Sequence, residues 1–383
     1  MAVAPVVLAL AIGWTAPVAV GDLRPSPDAV EYGLAAVSLA RLQAPEVRIG
    51  DFAAPPRYPF GFPLLAALLV RLAAGSGALQ PHAAVLASLA SGAALVGCLV
   101  LAGRRAFGAT AGTLGALLTI CSPFYITYSR LVMTEIPSAA LFGAMAAGIA
   151  LLATRARPRP LRWGLGLGLL LAAAVTIRLS NAQAAPALVA GLLLAVPSRR
   201  RRALAGFTTG VAAGLLPLLT YQWLTFGSPL TTGYHLWTPE WVNGPRPQFS
   251  PRYAFALPAL PGSAVQPNTL HYLSSWVGRP AAGDGGQPVG SPIHASLAGG
   301  LALLAAIGFW RAVVRRPGAD DRPAAQAVAA FVAAGLLGGF AFYAPYYYQD
   351  VRFLAPWAPL WLLMAAAAVP GSWPQRAAGW RWA

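Results

Sequence analysis

The sequence predicts an all-α polytopic membrane protein with about ten transmembrane helices and additional helices at the membrane surface. Three observations predict it. Apolar runs of about twenty residues, each about long enough to cross a bilayer, recur from one end of the chain to the other. Of the 383 residues, 57% are hydrophobic and only 10% charged, with mean hydropathy +0.60, whereas soluble domains carry about 25% charged residues. Most of the 27 basic residues, all arginine, fall in short connections between those runs or in the tail.

The net charge of +16 invites a nucleic-acid partner, but the placement of the arginines argues against one. Sixteen of them fall in short connections or the tail, as in GRRAFG, RARPRPLR, SRRRR and RRPGADDRP. Basic loops of that kind mark the cytoplasmic side of a membrane protein. The charge is topological, and membrane lipids are the partner it implies.

The runs read in order as spans 1–20, 83–102, 109–126, 136–153, 163–180, 184–198, 203–224, 295–314, 325–343 and 353–370. No basic residue precedes the first run and no convincing small-x-small cleavage site follows it, so it reads as a retained span with its N-terminus inside; a signal peptide is the competing reading. Alternating from there puts every arginine cluster, and both termini, on the cytoplasmic side. The segment YPFGFPLLAALLVRLAAG, 58–75, carries Arg71 mid-run and is broken by Pro59, Gly61 and Pro63. It reads as a helix lying along the outer interface, against the alternative of a true span with a neighbour demoted. The whole chain, 1–383, then forms one transmembrane domain with two large exoplasmic loops, 21–82 and 225–294. No extended soluble domain is expected after the last span.

In this topology the acids segregate. Asp22, Asp28, Glu31, Glu46, Asp51, Glu135, Glu240, Asp284 and Asp350 face outward, and only Asp320 and Asp321 face the cytoplasm. Carboxylates have little influence on orientation, so an active site on the outer face is the better cause. Cys98 and Cys121 lie inside apolar runs and read as packing residues. His82, His235, His271 and His294 lack metal-ligand spacing.

The stretch SPDAVEY, 26–32, starts a helix, with Ser26 suited to the N-cap and Pro27 to the first helical position. Asp28, Glu31 and Tyr32 share one face at i, i+3 and i+4, while Val30, Leu34 and Val37 form an apolar one. The plain reading is a helix-start aspartate and a solvated glutamate; the sharper one is paired acids at a membrane surface. Glu135 lies at the outer edge of the fourth span, in TEIP, where a carboxylate near hydrocarbon is costly and marks function; pairing with Arg130 is the plain alternative. Arg57 in RYPFGFP, Arg178 in TIRLSN and Arg352 in DVRFLAPWAPL stand where orientation does not require them. They either pair with acids, as Arg352 with Asp350, or grip a phosphate, for which guanidinium is geometrically suited.

SPDAVEYGLAAVSLA, RYPFGFPLLAALL, TEIP and DVRFLAPWAPLWLL, in that order, resemble the polyprenyl-phosphate-sugar-dependent membrane glycosyltransferases of the GT-C class. Within the class, the likeness is to the protein O-mannosyltransferase and lipid A aminoarabinose transferase superfamily. The resemblance implies an integral membrane enzyme of the cell envelope, in a bacterial inner (plasma) membrane with its active site exoplasmic. It would move a hexosyl or pentosyl unit from a polyprenyl-phosphate donor to a lipid, polysaccharide or protein acceptor, with inversion. By resemblance, Asp28 is the carboxylate that orients or deprotonates the acceptor. Glu135 is a second acid, for acceptor or divalent metal ion, and Arg57, Arg178 and Arg352 hold the donor phosphate. Glu31, Tyr32, Tyr58 and Asp350 are secondary candidates. The chain departs from relatives in that Glu31 stands three residues from Asp28 where many carry adjacent acids. A transporter or lipid-linked-sugar flippase is the rival reading, and it predicts polar or charged residues near mid-span, or internal repeats with broken helices.

Overall fold

The computed structural model describes residues 27–74, 81–155, 158–237, 249–255, 267–276, 292–314, 322–346 and 350–369. The expected span at 1–20 and Ser26 lie outside the described residues, as do Asp22, Glu240, Asp284, Asp320 and Asp321.

The described chain is helical except for one small hairpin. Helix α1 (Pro27–Ala40) leads into strands β1 (Val47–Ile49) and β2 (Phe52–Ala54), paired antiparallel with Val47 opposite Ala54. Then follow α2 (Gly61–Ala74), α3 (Val85–Ala106), α4 (Ala109–Ile120), α5 (Pro123–Tyr128), α6 (Glu135–Ala153), α7 (Pro160–Ile177), α8 (Ala184–Ala195) and α9 (Arg200–Phe226). Short helices α10 (Gly233–Trp237), α11 (Pro251–Phe255) and α12 (Asn268–Trp276) precede α13 (Pro292–Val313), α14 (Arg322–Tyr343) and α15 (Ala358–Ala367).

Each apolar run of the sequence between 83 and 370 contains a helix, so the membrane-protein class stands. Among the described residues, five helical stretches are long and apolar enough to cross a membrane: 85–106, 135–153, 160–177, 197–226 and 323–343. The apolar stretches at 61–72, 109–120, 179–195, 299–313 and 355–367 are shorter. The run at 109–126 is cut in two because Ser122 caps a new helix, its hydroxyl accepting from the Tyr125 N–H at 3.2 Å, with Pro123 in the first turn. The twelve residues of α4 rise about 18 Å, short of the roughly 30 Å hydrocarbon core. The run at 163–180 likewise ends early: α7 stops at Ile177, Arg178 is extended (φ −153°, ψ 119°), and a 3₁₀ turn over Leu179–Gln183 leads to α8.

Small residues set the closest packing. Gly164 and Gly168 of α7 face Gly206 and Gly210 of α9, and a Cβ on any of the four would lie 2.0–2.3 Å from a carbonyl oxygen of the opposite helix. This is a reciprocal small-xxx-small seam of the kind that lets helices associate in lipid, where apolar burial drives nothing. The core is aromatic at its centre: Trp357, fully buried, stacks on Phe142 with ring centroids 4.4 Å apart and packs on Phe331.

Helix α2 packs one face on α1, with Phe62, Ala66 and Val70 buried among Tyr32, Ala36, Val37 and Ala40. Its opposite face exposes Leu64, Leu68 and Leu72. At fourteen residues, about 21 Å long, it is too short to span.

Candidate active site

The site is assembled from the start of α1, the turn before α2, the start of α6, the break after α7, and the turn before α15. Asp28, in the first turn of α1, meets two guanidinium groups. Arg57 Nη2 lies 3.0 Å from its Oδ1, and Arg352 Nη1 lies 3.2 Å from its Oδ2. Residues 28 and 352 come from opposite ends of the chain. Asp350 accounts for the approach of Arg352: its carboxylate caps the turn by accepting the Arg352 N–H at 2.9 Å and pairs with Nε at 2.7 Å. The expected Arg352–Asp350 pair is present, and Arg352 bridges it to Asp28.

Glu31 overturns the reading of a solvated glutamate. It is 7% exposed, and its Oε1 accepts the backbone N–H groups of Arg57 (2.5 Å) and Tyr58 (3.2 Å) while Oε2 lies 3.4 Å from Arg57 Nη2. Of the expected apolar face, Val37 is buried and Leu34 partly so, whereas Val30 is exposed. Tyr32, on the acidic face, is buried as well, because the 55–60 segment folds back over that face of α1. Burial pushes the Glu31 carboxyl above its ordinary value, with Arg57 and the two N–H groups opposing. Around Arg57, burial works against the cation, but Tyr58, Glu31 and Asp28 outweigh it and raise its pKa.

Glu135 is 1% exposed at the first position of α6. Its partner is Arg178, with Nη1 at 3.5 Å from Oε1, rather than the Arg130 that the sequence offered; Oε2 has no hydrogen-bond partner among the described residues. Asp28, Tyr32, Arg57, Tyr58, Glu135, Arg178 and Arg352 all line one cavity of about 590 Å³. Glu31 and Asp350 stand behind it, holding the turns that carry Arg57 and Arg352.

The cavity also has walls the sequence did not single out: Thr232, Tyr234 and His235, with Phe249, Tyr343, Tyr346 and Phe353. Tyr32 stacks on Tyr58 at 4.7 Å, and Tyr234 meets Tyr58 edge-on at 5.7 Å. Helix α10 reaches the Arg57 turn because Gly233 has no side chain: a Cβ there would lie 2.2 Å from the Pro56 carbonyl oxygen. Trp237 Nε1 donates to the Pro55 carbonyl at 2.7 Å. Burial first, then neighbouring charge, raises the pKa values of Tyr32, Tyr58 and Tyr234, so these hydroxyls stay neutral. The crowding of aromatics in GYHLW and in FYAPYYYQD was the available signal.

A divalent ion does not fit this donor set. Among the described residues no group of three or more His, Cys, Asp or Glu side chains is placed to hold a metal, and each carboxylate of the site faces an arginine instead.

The fold is that of solved membrane enzymes. Residues 57–226 match the family model of dolichyl-phosphate-mannose-protein mannosyltransferase. ArnT from Cupriavidus metallidurans bound to undecaprenyl phosphate shares the fold over 96% of this chain and 59% of its own, at 17% identity and TM-score 0.61. AglB, the oligosaccharyltransferase of Archaeoglobus fulgidus, in complex with an inhibitory peptide and a dolichol-phosphate, shares it over 96% of this chain and 50% of its own, at 13% identity and TM-score 0.54. The chain thus spans between half and three-fifths of the length of these neighbours. Among curated proteins none matches it.

Proposed function

We propose that this protein is an integral-membrane glycosyltransferase that moves a sugar from a polyprenyl-phosphate donor to an acceptor on the exoplasmic face, with inversion. One observation carries the reading: Asp28, Glu135, Arg57, Arg178 and Arg352 line a single cavity. Its volume, about 590 Å³, suits a small ligand, and its aromatic walls suit the apolar faces of a sugar ring.

In the step, an acceptor oxygen or nitrogen attacks the anomeric carbon from the side opposite the phosphate. The anomeric C–O bond breaks, and its electron pair leaves with the lipid phosphate. The leaving group goes from one negative charge toward about two. Arg57, Arg178 and Arg352 meet that growing charge with guanidinium groups already fixed in place, which lowers the barrier more than it stabilises the ground state. Asp28 accepts a hydrogen bond from the acceptor and aims its lone pair. Two arginines hold that carboxylate in place. The proton that the acceptor loses ends on the released monophosphate, whose second pKa is about 6. Glu135, with Oε2 buried and unpaired, is suited to accept a hydrogen bond from a substrate hydroxyl.

The exposed leucine face of α2 and the placement of acids support an outer-interface position for this helix. The acceptor class is lipid, polysaccharide or protein. The test is transfer from radiolabelled polyprenyl-phosphate hexoses and pentoses by purified protein in membranes. Asp28→Asn should insert and fold like the wild type but lose at least about 99% of transfer, as expected of a group acting in the transition state. Wild-type transfer by that variant would sink the assignment.

A further inference from the structure

The Glu135–Arg178 pair presents a geometric problem. At 3.5 Å it is too long to fix its own spacing as a hydrogen bond, and an arginine side chain has large rotamer freedom. Its frame must be set elsewhere. Behind the cavity wall lies Asn181, 1% exposed and outside the cavity lining. Its Nδ2 donates to Ser138 Oγ at 2.8 Å and to the Ala174 carbonyl at 2.9 Å. Ser138 stands one turn after Glu135 in α6, and Ala174 is in the last turn of α7. The Asn181 N–H donates to the Arg178 carbonyl at 2.9 Å, and the Arg178 N–H donates to Ala174 at 3.0 Å. One amide therefore ties the helix start bearing Glu135 to the helix break bearing Arg178.

Simple satisfaction of buried polar groups does not require this arrangement. The Ala174 carbonyl already accepts from Arg178. The Ser138 hydroxyl has the carbonyl four residues back as its usual alternative. What Asn181 adds is the register between two helices.

We infer that Asn181 is a positioning residue, which sets the separation of Glu135 and Arg178 and through it the placement of Arg178 on a lipid phosphate. The second half of that statement rests on the function proposed above. The first half does not.

The test uses the full chain, purified in detergent, with undecaprenyl phosphate as the probe. Asn181→Ala should weaken binding about tenfold, the loss expected when one charge-assisted contact is misplaced. Arg178→Ala should weaken it at least as much, and the double variant should be no worse than Arg178→Ala alone. Equal loss in both backgrounds, or no loss with Asn181→Ala, would overturn the inference. Should the wild type fail to bind the probe, the sugar-transfer reading is what fails. A thermal-unfolding cycle over Glu135→Gln and Arg178→Ala then decides the positioning role without ligand. Coupling between the two that vanishes in the Asn181→Ala background supports it, and coupling that persists unchanged contradicts it.

Discussion

Arg57 illustrates how much of the site is decided by single side chains. Its backbone N–H is held by Glu31, its guanidinium reaches Asp28 and Glu31, and it lies over the Tyr58 ring at 4.5 Å. The donor phosphate would draw on an arginine that is already placed, so little order is lost on binding. Arg57→Ala should raise the KM for a polyprenyl-phosphate donor about tenfold or more while leaving the KM for acceptor nearly unchanged, which initial-rate kinetics over both substrates would show. A loss confined to the acceptor would move Arg57 out of the donor site. Asp28, Arg57, Glu135, Arg178 and Arg352 were all legible in the sequence as charges standing where topology did not need them. Their pairing was not. Arg178 in place of Arg130 as partner to Glu135 depends on where α7 breaks, and the burial of Glu31 depends on a turn folding back over α1. Neither is encoded in local periodicity.

Among the elements, the seam between α7 and α9 is tightly specified by sequence, with four glycines in close reciprocal approach. Gly206 approaches the Leu161 carbonyl so closely that a Cβ would lie 2.1 Å away, whereas Gly166, on another face of α7, has nothing within 4 Å. Gly206→Val should therefore lower stability by about 2 kcal/mol or more through overpacking. Gly166→Ala should be tolerated or slightly stabilising, since alanine is the better helix former. Thermal unfolding in detergent compares the two; equal shifts would mean that the close approach contributes nothing. Hydropathy found these helices, because long apolar runs need only length and composition to be recognised. It missed their interruptions at Cys121–Ser122 and at Arg178–Gln183. Those breaks arise from a cap and from side-chain bridges such as Asn181 to Ser138, which an averaged window does not resolve.

For the whole molecule, the chain folds so that its first described helix and its penultimate turn share a carboxylate, and the long helices between them bring the remaining charges to the same cavity. The fold is shared with ArnT over 96% of the chain. In the proposed reaction this arginine-lined cavity receives a lipid phosphate, with Asp28 facing the acceptor. The decisive measurement is a structure of the protein bound to undecaprenyl phosphate. Phosphate oxygens should lie within hydrogen-bonding distance of Arg57, Arg178 and Arg352, with the polyprenyl chain leaving the cavity toward lipid. A phosphate bound elsewhere, with the three arginines still paired only to their carboxylates, would contradict that reaction.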